Sequence, residues 1–441
     1  MAAPTNKRKG GGNPTASRPN PVQEVIVIDD SPPPPSSSYH HHRPLNTPPS
    51  SYGSIMTDLP PALSTRSKRA LLRTPSIQRK HRMLPHSPGT TPTTKKKKRK
   101  VVTQDKMMRT LGQGTFGKVI ECFDRVKRGR CAIKVIRSIK RYRDASTLEM
   151  RVLQTLRKHD PSNLYQCIHL DDWFEHEHHI CMVFELLGQS VFDFLKSHHF
   201  KPFSLCQIQH FAIQLFTSIE FLHRLKLVHT DLKPENVLLI NRSEKPVTTE
   251  DLHNTEIRLI DFGSATFEKE FHSAVVSTRH YRAPEIILGN KLTIPIFLDH
   301  LTSTLSLATG WSYPCDIWSI GCMLIEFFTG EPLFQTHDNL EHLAMMQIVL
   351  GKIPHTMICK SKLNGQTYFK KDHLLYPAPE TKPENIKYVN TLRPLYKIIP
   401  TSLSKGHVLF LDLLERILVY DPRTRISASE ALQHPFLHHT F

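Results

Sequence analysis

The chain has 441 residues, with 58 Lys/Arg against 40 Asp/Glu, and a formal net charge of +18 at pH 7. That charge sits at one end: residues 1–100 hold 18 Lys/Arg and 4 Asp/Glu, and the remaining 341 hold 40 and 36. An excess so placed argues against a folded nucleic-acid face. The 8 cysteines form no CxxC pair, which leaves neither a disulfide framework nor a zinc cluster. No signal-peptide-like segment and no run of 18 uncharged apolar residues is present. These features predict a soluble protein of a reducing compartment, cytosol or nucleus, without a membrane partner.

Residues 1–104 read as a disordered basic tail, since the first hundred contain 17 of the 33 prolines and few large side chains. Within it, Val25–Ile28 followed by Asp29 and Asp30 form a β-prone run edged by acids. Such a run suits strand addition to a partner sheet and is similar to a SUMO-interacting motif (residues 25–30). The plain alternative is a chance apolar patch. Residues 95–101, KKKKRKV, form a dense basic block. It suits the acidic groove of a nuclear import receptor and resembles a monopartite nuclear localisation signal, although a solvated charge run has the same composition.

Apolar density rises from about residue 105 and continues to the end, enough for a core divided over two lobes. A strand-like Met107–Leu111 leads into LGQGTFGKV, with Gly112, Gly114 and Gly117. Alternating glycines let a backbone turn tightly and present N–H groups to phosphate oxygens. A dinucleotide-binding fold uses the same glycines, but it requires a helix next. Here Val119–Phe123 continues as a strand. CAIKV (131–135) then places Lys134 among apolar residues, where an ammonium needs an anionic partner. Glu149 is the candidate, on a segment with Leu148, Val152, Leu153 and Leu156 at helical spacing. Ile180–Leu187 predicts a buried strand running into an inter-lobe connection. Phe184 and the backbones of Glu185 and Leu187 are candidates for an adenine slot.

Residues 229–236, HTDLKPEN, follow a helix-like Leu205–Leu225, and Asp261-Phe262-Gly263 follows a strand-like Ile257–Ile260. Phosphoryl transfer needs an aligned hydroxyl, a carboxylate to take its proton, and cations against the transferred charge. Asp231 supplies the carboxylate and Lys233 a cation. Asn236 and Asp261 offer the oxygen donors that Mg2+ prefers, with Mn2+ as an alternative.

This ordered set resembles eukaryotic protein kinases over about 105–441. Within them, FELLG (184–188), HTDLKPEN, DFGSATFEKEFHSAVVSTRHYRAPE (261–285) and EHLAMM (341–346) resemble the LAMMER, or CDC2-like (Clk), dual-specificity family. The resemblance implies an α+β two-lobed fold with a small β-rich N-lobe (about 105–184), a hinge (185–188) and a larger, mainly helical C-lobe (189–441). It implies ATP with Mg2+, and Leu111, Gly112, Gly114, Gly117, Val119, Ala132, Lys134, Phe184, Glu185 and Leu187 around the nucleotide. Asp231, Lys233, Lys134 and Glu149 take the catalytic positions, and Asn236 and Asp261 the metal positions. A Glu285–Arg425 pair would brace the lower lobe, and Asp316 would anchor the catalytic-loop backbone. The resemblance also implies a nuclear, monomeric kinase domain acting on Arg/Ser-rich splicing factors, with Tyr autophosphorylation.

Three positions depart from the common kinase or family pattern. Thr230 stands where many kinases have Arg, as in the family, which implies a loop not ordered by the usual phosphate. EHLAMMQIVLG has Gln347, Ile348 and Val349 where the family has Glu, Arg and Ile. Residues 290–309, apolar and nearly uncharged, intervene where the family runs almost directly from APE to GWSYPCDIWS. The segment Val237–Glu256 predicts a surface hairpin or loop. Two rival functions are a kinase-fold scaffold without catalysis and a nucleic-acid binder acting through the tail.

Overall fold

The computed structural model describes residues 106–240, 252, 254–270, 272–289, 310–361 and 363–441. The basic tail with its two motifs, most of the Val237–Glu256 connection and the 290–309 segment lie outside the described residues.

The first part is an antiparallel sheet of β1 (Lys106–Gln113), β2 (Gly117–Asp124), β3 (Gly129–Ile136), β4 (Asp172–His176) and β5 (His179–Glu185), in the order β1-β2-β3-β5-β4. Side chains alternate between faces along a strand, and this alternation separates core from site. Ile120, Cys122, Cys131, Ile133, Val135, Cys181 and Val183 form one apolar cluster. On the other face Ile136, Ile180, Met182 and Phe184 pack with Val152, Leu153 and Leu156 of α1 (Lys140–His159). The α1 stripe differs from the sequence reading in one place. Leu148 is 54% exposed, while Ser146, Glu149 and Met150 are buried. The buried face is turned so that a carboxylate enters it, which an apolar count alone does not foresee.

After α2 (Val191–Ser197) comes α3 (Leu205–Arg224), begun by a capping box between Ser204 and Gln207. Ile208, Phe211, Ala212, Leu215, Phe216, Ile219 and Leu222 are fully buried along it at steps of three and four. This helix leads directly into β6 (Leu227–Val228) and the catalytic-loop sequence. The pair β7 (Val237–Leu239) and β8 (Ile257–Leu259) is antiparallel. Beyond β9 (Thr266–Phe267) come α4 (Pro284–Leu288), α5 (Pro314–Thr329), α6 (Asn339–Leu350) and further helices down to Ala428–Leu432. Leu288 and Trp311, on either side of the 290–309 segment, are 0% and 2% exposed, so both flanks are seated in the core. In α6, Ile348 packs against the core where the family has Arg, which adds apolar contact, while the buried Val349 is one methylene smaller than the family's Ile. Among the described residues no helix is long and apolar enough to cross a membrane.

The lower part is braced by an ion pair without solvent contact. Arg425 donates from Nη1 and Nη2 to Glu285 Oε1 and Oε2 at 2.8 and 2.9 Å, with both side chains 0% exposed. The same guanidinium donates to the carbonyls of Val419, Pro314 and Tyr420 and lies 5.0 Å from the Trp318 ring centroid.

Candidate active site

The glycine-rich turn joins β1 to β2, closed by a Gly114 N–H to Gly117 carbonyl bond of 2.9 Å. Its glycines serve different ends. A Cβ on Gly112 or Gly114 would meet nothing within 4 Å, so the turn faces open space. A Cβ on Gly117 would stand 2.0 Å from the Val135 carbonyl oxygen, so only glycine lets β2 approach β3 there. Gly117→Ala must push β2 off β3 and is expected to destabilise the protein by about 1–3 kcal/mol. Urea denaturation checks this, with Gly114→Ala as the milder comparison.

Strand register gathers the predicted pocket residues. Val119 lies opposite Lys134 and Ala132 opposite Phe184, and Ala132 and Lys134 are two apart, so all four share one face. Leu187 packs against the core edge at the connection. Two predicted residues are less engaged. Leu111 falls at a register shift between Thr110 and Gly112 and is 40% exposed. Glu185 lies opposite Cys131 on the other face, and its Oε1 accepts from Arg258 Nε at 3.2 Å. Only the Glu185 backbone is left for the slot.

Beneath this face Lys134 Nζ donates to Glu149 Oε1 at 2.7 Å and to Asp261 Oδ1 at 3.2 Å. Burial works against the ammonium, but the two carboxylates outweigh it and raise the Lys134 pKa above the usual lysine range. Burial also works against charge on Asp261, yet Lys134, with smaller help from His229 and Lys233, holds that carboxyl below its ordinary range. Asp261 has φ 61°, a left-handed conformation that begins the turn Phe262–Ser264. Phe262 beside it is 1% exposed, with His229 edge-on at 5.2 Å.

The loop after β6 is anchored from below. Asp316, at the start of α5, accepts from His229 N–H and Thr230 N–H at 2.9 Å each. Thr230 has φ 68°, uncommon for a β-branched residue. Those bonds and its own Oγ1 donation to the Ser264 carbonyl hold it there. The next residue, Asp231, is gripped on both oxygens. Oδ2 accepts from Lys233 Nζ at 2.7 Å, and Oδ1 accepts from Thr278 N–H at 3.0 Å and Thr278 Oγ1 at 2.7 Å. Burial would raise the Asp231 carboxyl, but Lys233 and Thr278 together bring it below the ordinary range, so it is ionised at neutral pH. Asn236 Nδ2 donates to the Asp231 carbonyl at 2.9 Å. The Asn236 carbonyl accepts from Ile260 N–H at 2.9 Å, which ties this loop to the residue before Asp261. Thr278 is the functional residue that sequence reasoning missed. It lies within the 261–285 stretch, but 47 positions separate it from Asp231 and no spacing rule links the two.

The segment leading to α4 is ordered by its own contacts. Trp311 Nε1 donates to the Ser273 carbonyl at 2.9 Å and the ring stacks on His272 at 4.6 Å. Arg282 donates to the carbonyls of Val276 and Ser277. Tyr281 O–H donates to Glu326 Oε2 at 2.7 Å, and burial raises the Glu326 carboxyl to about 8.

Comparison with known proteins identifies the family. The family model described as "Protein kinase domain" matches residues 106–437. The dual specificity protein kinase lkh1 of Schizosaccharomyces pombe is 51% identical over 338 residues, 75% of this chain and 46% of that protein. The dual specificity protein kinase CLK2 of Homo sapiens is 43% identical over 335 residues, 74% of this chain and 62% of its own. The serine/threonine-protein kinase AFC3 of Arabidopsis thaliana is 43% identical, with 75% of this chain and 81% of its own length matched. The match therefore spans about half of the yeast relative and under two thirds of the human one. A crystal structure of the PF14_0431 kinase domain superposes with a TM-score of 0.66 at 33% identity, covering 78% of this chain and 97% of that one. The five-stranded sheet over a helical lower part, the clustered lysine and carboxylates, and these relatives converge on one statement: the chain belongs to the protein kinase family, in its LAMMER (Clk) dual-specificity branch.

Proposed function

We propose that the protein is an ATP-dependent protein kinase that phosphorylates Ser and Thr hydroxyls and autophosphorylates on Tyr. One observation carries this reading: a single lysine, Lys134, is shared between Glu149 and Asp261, and the residue before Asp261 is bonded to Asn236 of the loop whose ionised Asp231 is held by Lys233 and Thr278. In the reaction a substrate oxygen bonds to the γ-phosphorus of ATP, the bond from that phosphorus to the ADP oxygen breaks, and the hydroxyl proton goes to Asp231. Lys233 lies against the transferred group and Lys134, fixed by Glu149, against the α- and β-phosphates. The backbone of the glycine turn covers the phosphates, and Val119, Ala132, Phe184 and Leu187 enclose the base. The donor set fits Mg2+, which takes few protein oxygens and keeps its waters. Asp261 offers a carboxylate, and the Asn236 amide spends its N–H on the Asp231 carbonyl and keeps its oxygen for a cation. When bound there, Mg2+ supplies positive charge against the triphosphate.

For the substrate class we propose Arg/Ser-rich splicing factors, with the control of pre-mRNA splicing as the outcome. Glu235 supports a cationic substrate. Its side chain is open to solvent. Desolvation pushes its carboxyl up, its own backbone N–H and Lys233 offset part of that, and Asp231 and Asp193 add a repulsion that an arriving guanidinium relieves. Glu235→Gln is expected to raise KM for an Arg/Ser-repeat peptide roughly three- to tenfold, the range of one partly solvated charge contact, and to leave KM for ATP unchanged. Radiolabelled ATP offered with that peptide and with an acidic one tests the assignment. Preferential labelling of the acidic peptide would overturn the substrate class, and labelling of neither would overturn the kinase reading. Residues 95–101 would bring the protein to the nucleus through an import receptor, and 25–30 would contact SUMO. Deleting 95–101 is expected to shift a fluorescent fusion to the cytoplasm. The scaffold reading rests on the 290–309 segment, which lies outside the described residues; against it stand Lys134, Asp231, Asn236 and Asp261, all present, with Lys134 bonded to Asp261 and Asn236 to Asp231.

A further inference from the structure

Arg151 lies on α1 two positions after Glu149, and the catalytic scheme leaves it without a task. Its Nη2 donates to both carboxylate oxygens of Glu270 at 2.5 and 2.6 Å, and its Cζ lies 4.9 Å from the Phe267 ring centroid. Phe267 ends β9, which pairs with β6 in the register Leu227↔Phe267 and Val228↔Thr266. Glu268 N–H adds a bond of 2.9 Å to the Lys226 carbonyl. The residue after β6 is His229, and Asp231 follows two positions later. A short path of contacts therefore runs from the helix that carries Glu149, through Arg151 and the loop, into the strand that leads to Asp231. At Thr230, where an arginine would gather a loop phosphate, the hydroxyl is bonded to the Ser264 carbonyl instead.

We propose that Arg151 is a positioning residue that fastens the 262–270 loop to α1 through Glu270 and Phe267, so that Glu149 and Asp231 are held in mutual register without a phosphate. The proposal rests on the kinase reading above. Both side chains are partly exposed, 48% and 39%. A pair in solvent adds little to global stability, so its effect belongs in helix placement and hence in turnover. The flat guanidinium matters as well as the charge, because lysine offers no planar group to lie over Phe267.

The test uses the full chain with Arg151→Ala, Glu270→Ala, Arg151→Lys, Arg151→Glu and the exchanged pair Arg151→Glu/Glu270→Arg. Loss of positioning is expected to lower kcat about tenfold in both alanine variants, with peptide KM within about twofold and the melting temperature unchanged. Arg151→Lys falls between, and the exchanged pair is faster than Arg151→Glu alone. Hydrogen exchange of the peptide covering 262–270 accelerates in Arg151→Ala, a readout that needs no activity. Unchanged kcat in the alanine variants, a loss matched by a fall in melting temperature, or an exchanged pair no better than the single change would overturn the proposal. A wild type that transfers no phosphate would overturn the kinase reading instead, and hydrogen exchange would then decide whether the fastening exists.

Discussion

Asp231→Asn lowers turnover on a peptide substrate by about 10²–10⁴-fold, the usual range for removing a positioned proton acceptor, while KM for ATP changes little. The asparagine keeps the size of the side chain and its oxygen still accepts from Thr278, but its amide nitrogen stands where Oδ2 accepts from Lys233, so that contact is lost together with the basic function. The pH profile adds a second expectation with a definite sign. Lys233 and Thr278 hold the Asp231 carboxyl below the ordinary carboxylate range against the effect of burial. The folded pKa is therefore depressed, the base is present above it, and kcat falls only as pH drops through that low value. Lys233→Met removes the nearest cation, 2.7 Å away, so the acid limb moves up toward neutrality. The same depression contributes stability above the unfolded carboxylate pKa that is lost as pH falls through the folded one. Turnover measured from acid to neutral pH checks both expectations. Equal turnover by wild type and Asp231→Asn would sink the assignment of Asp231 as base.

Chain order made much of this site legible before any coordinates. Lys134 is readable because an ammonium inside CAIKV requires a counter-charge, and strand alternation then turns it toward α1. The catalytic loop is readable because HTDLKPEN and DFG present acid, cation and oxygen donors in sequence after the glycine turn. Leu148 misled, since helical spacing alone does not say which apolar residue yields its place on the buried face to Glu149. Thr278 was illegible for another reason. Its role comes from the way the loop folds back over Asp231, and neither periodicity nor local motif encodes that return. Gly117 lies between these cases. The glycine pattern marked it, but its closeness to the Val135 carbonyl belongs to the pairing of β2 with β3.

Arg425→Met is expected to cost about 3–5 kcal/mol of stability, because it leaves a buried carboxylate without its partner. Glu285 receives both guanidinium bonds at 2.8 and 2.9 Å in a site with no solvent contact. The carbonyls of Val419, Pro314 and Tyr420 also lose their donor. Glu285→Gln is milder, about 1–3 kcal/mol. Its amide oxygen still accepts from Arg425, and those three carbonyls continue to receive the guanidinium. The order of the two effects distinguishes a brace from a mere ion pair. If the pair alone mattered, removing either charge would cost the same; if the arginine also closes the backbone around α5, its loss must cost more. Replacing both residues by apolar ones relieves the unpaired carboxylate but not the carbonyls, so the double variant recovers only part of the loss. Urea denaturation of Arg425→Met, Glu285→Met and the double of these two, read as a cycle, measures each contribution. A loss under about 1 kcal/mol for Arg425→Met, the scale of a surface pair, would show that the lower lobe stands without this contact.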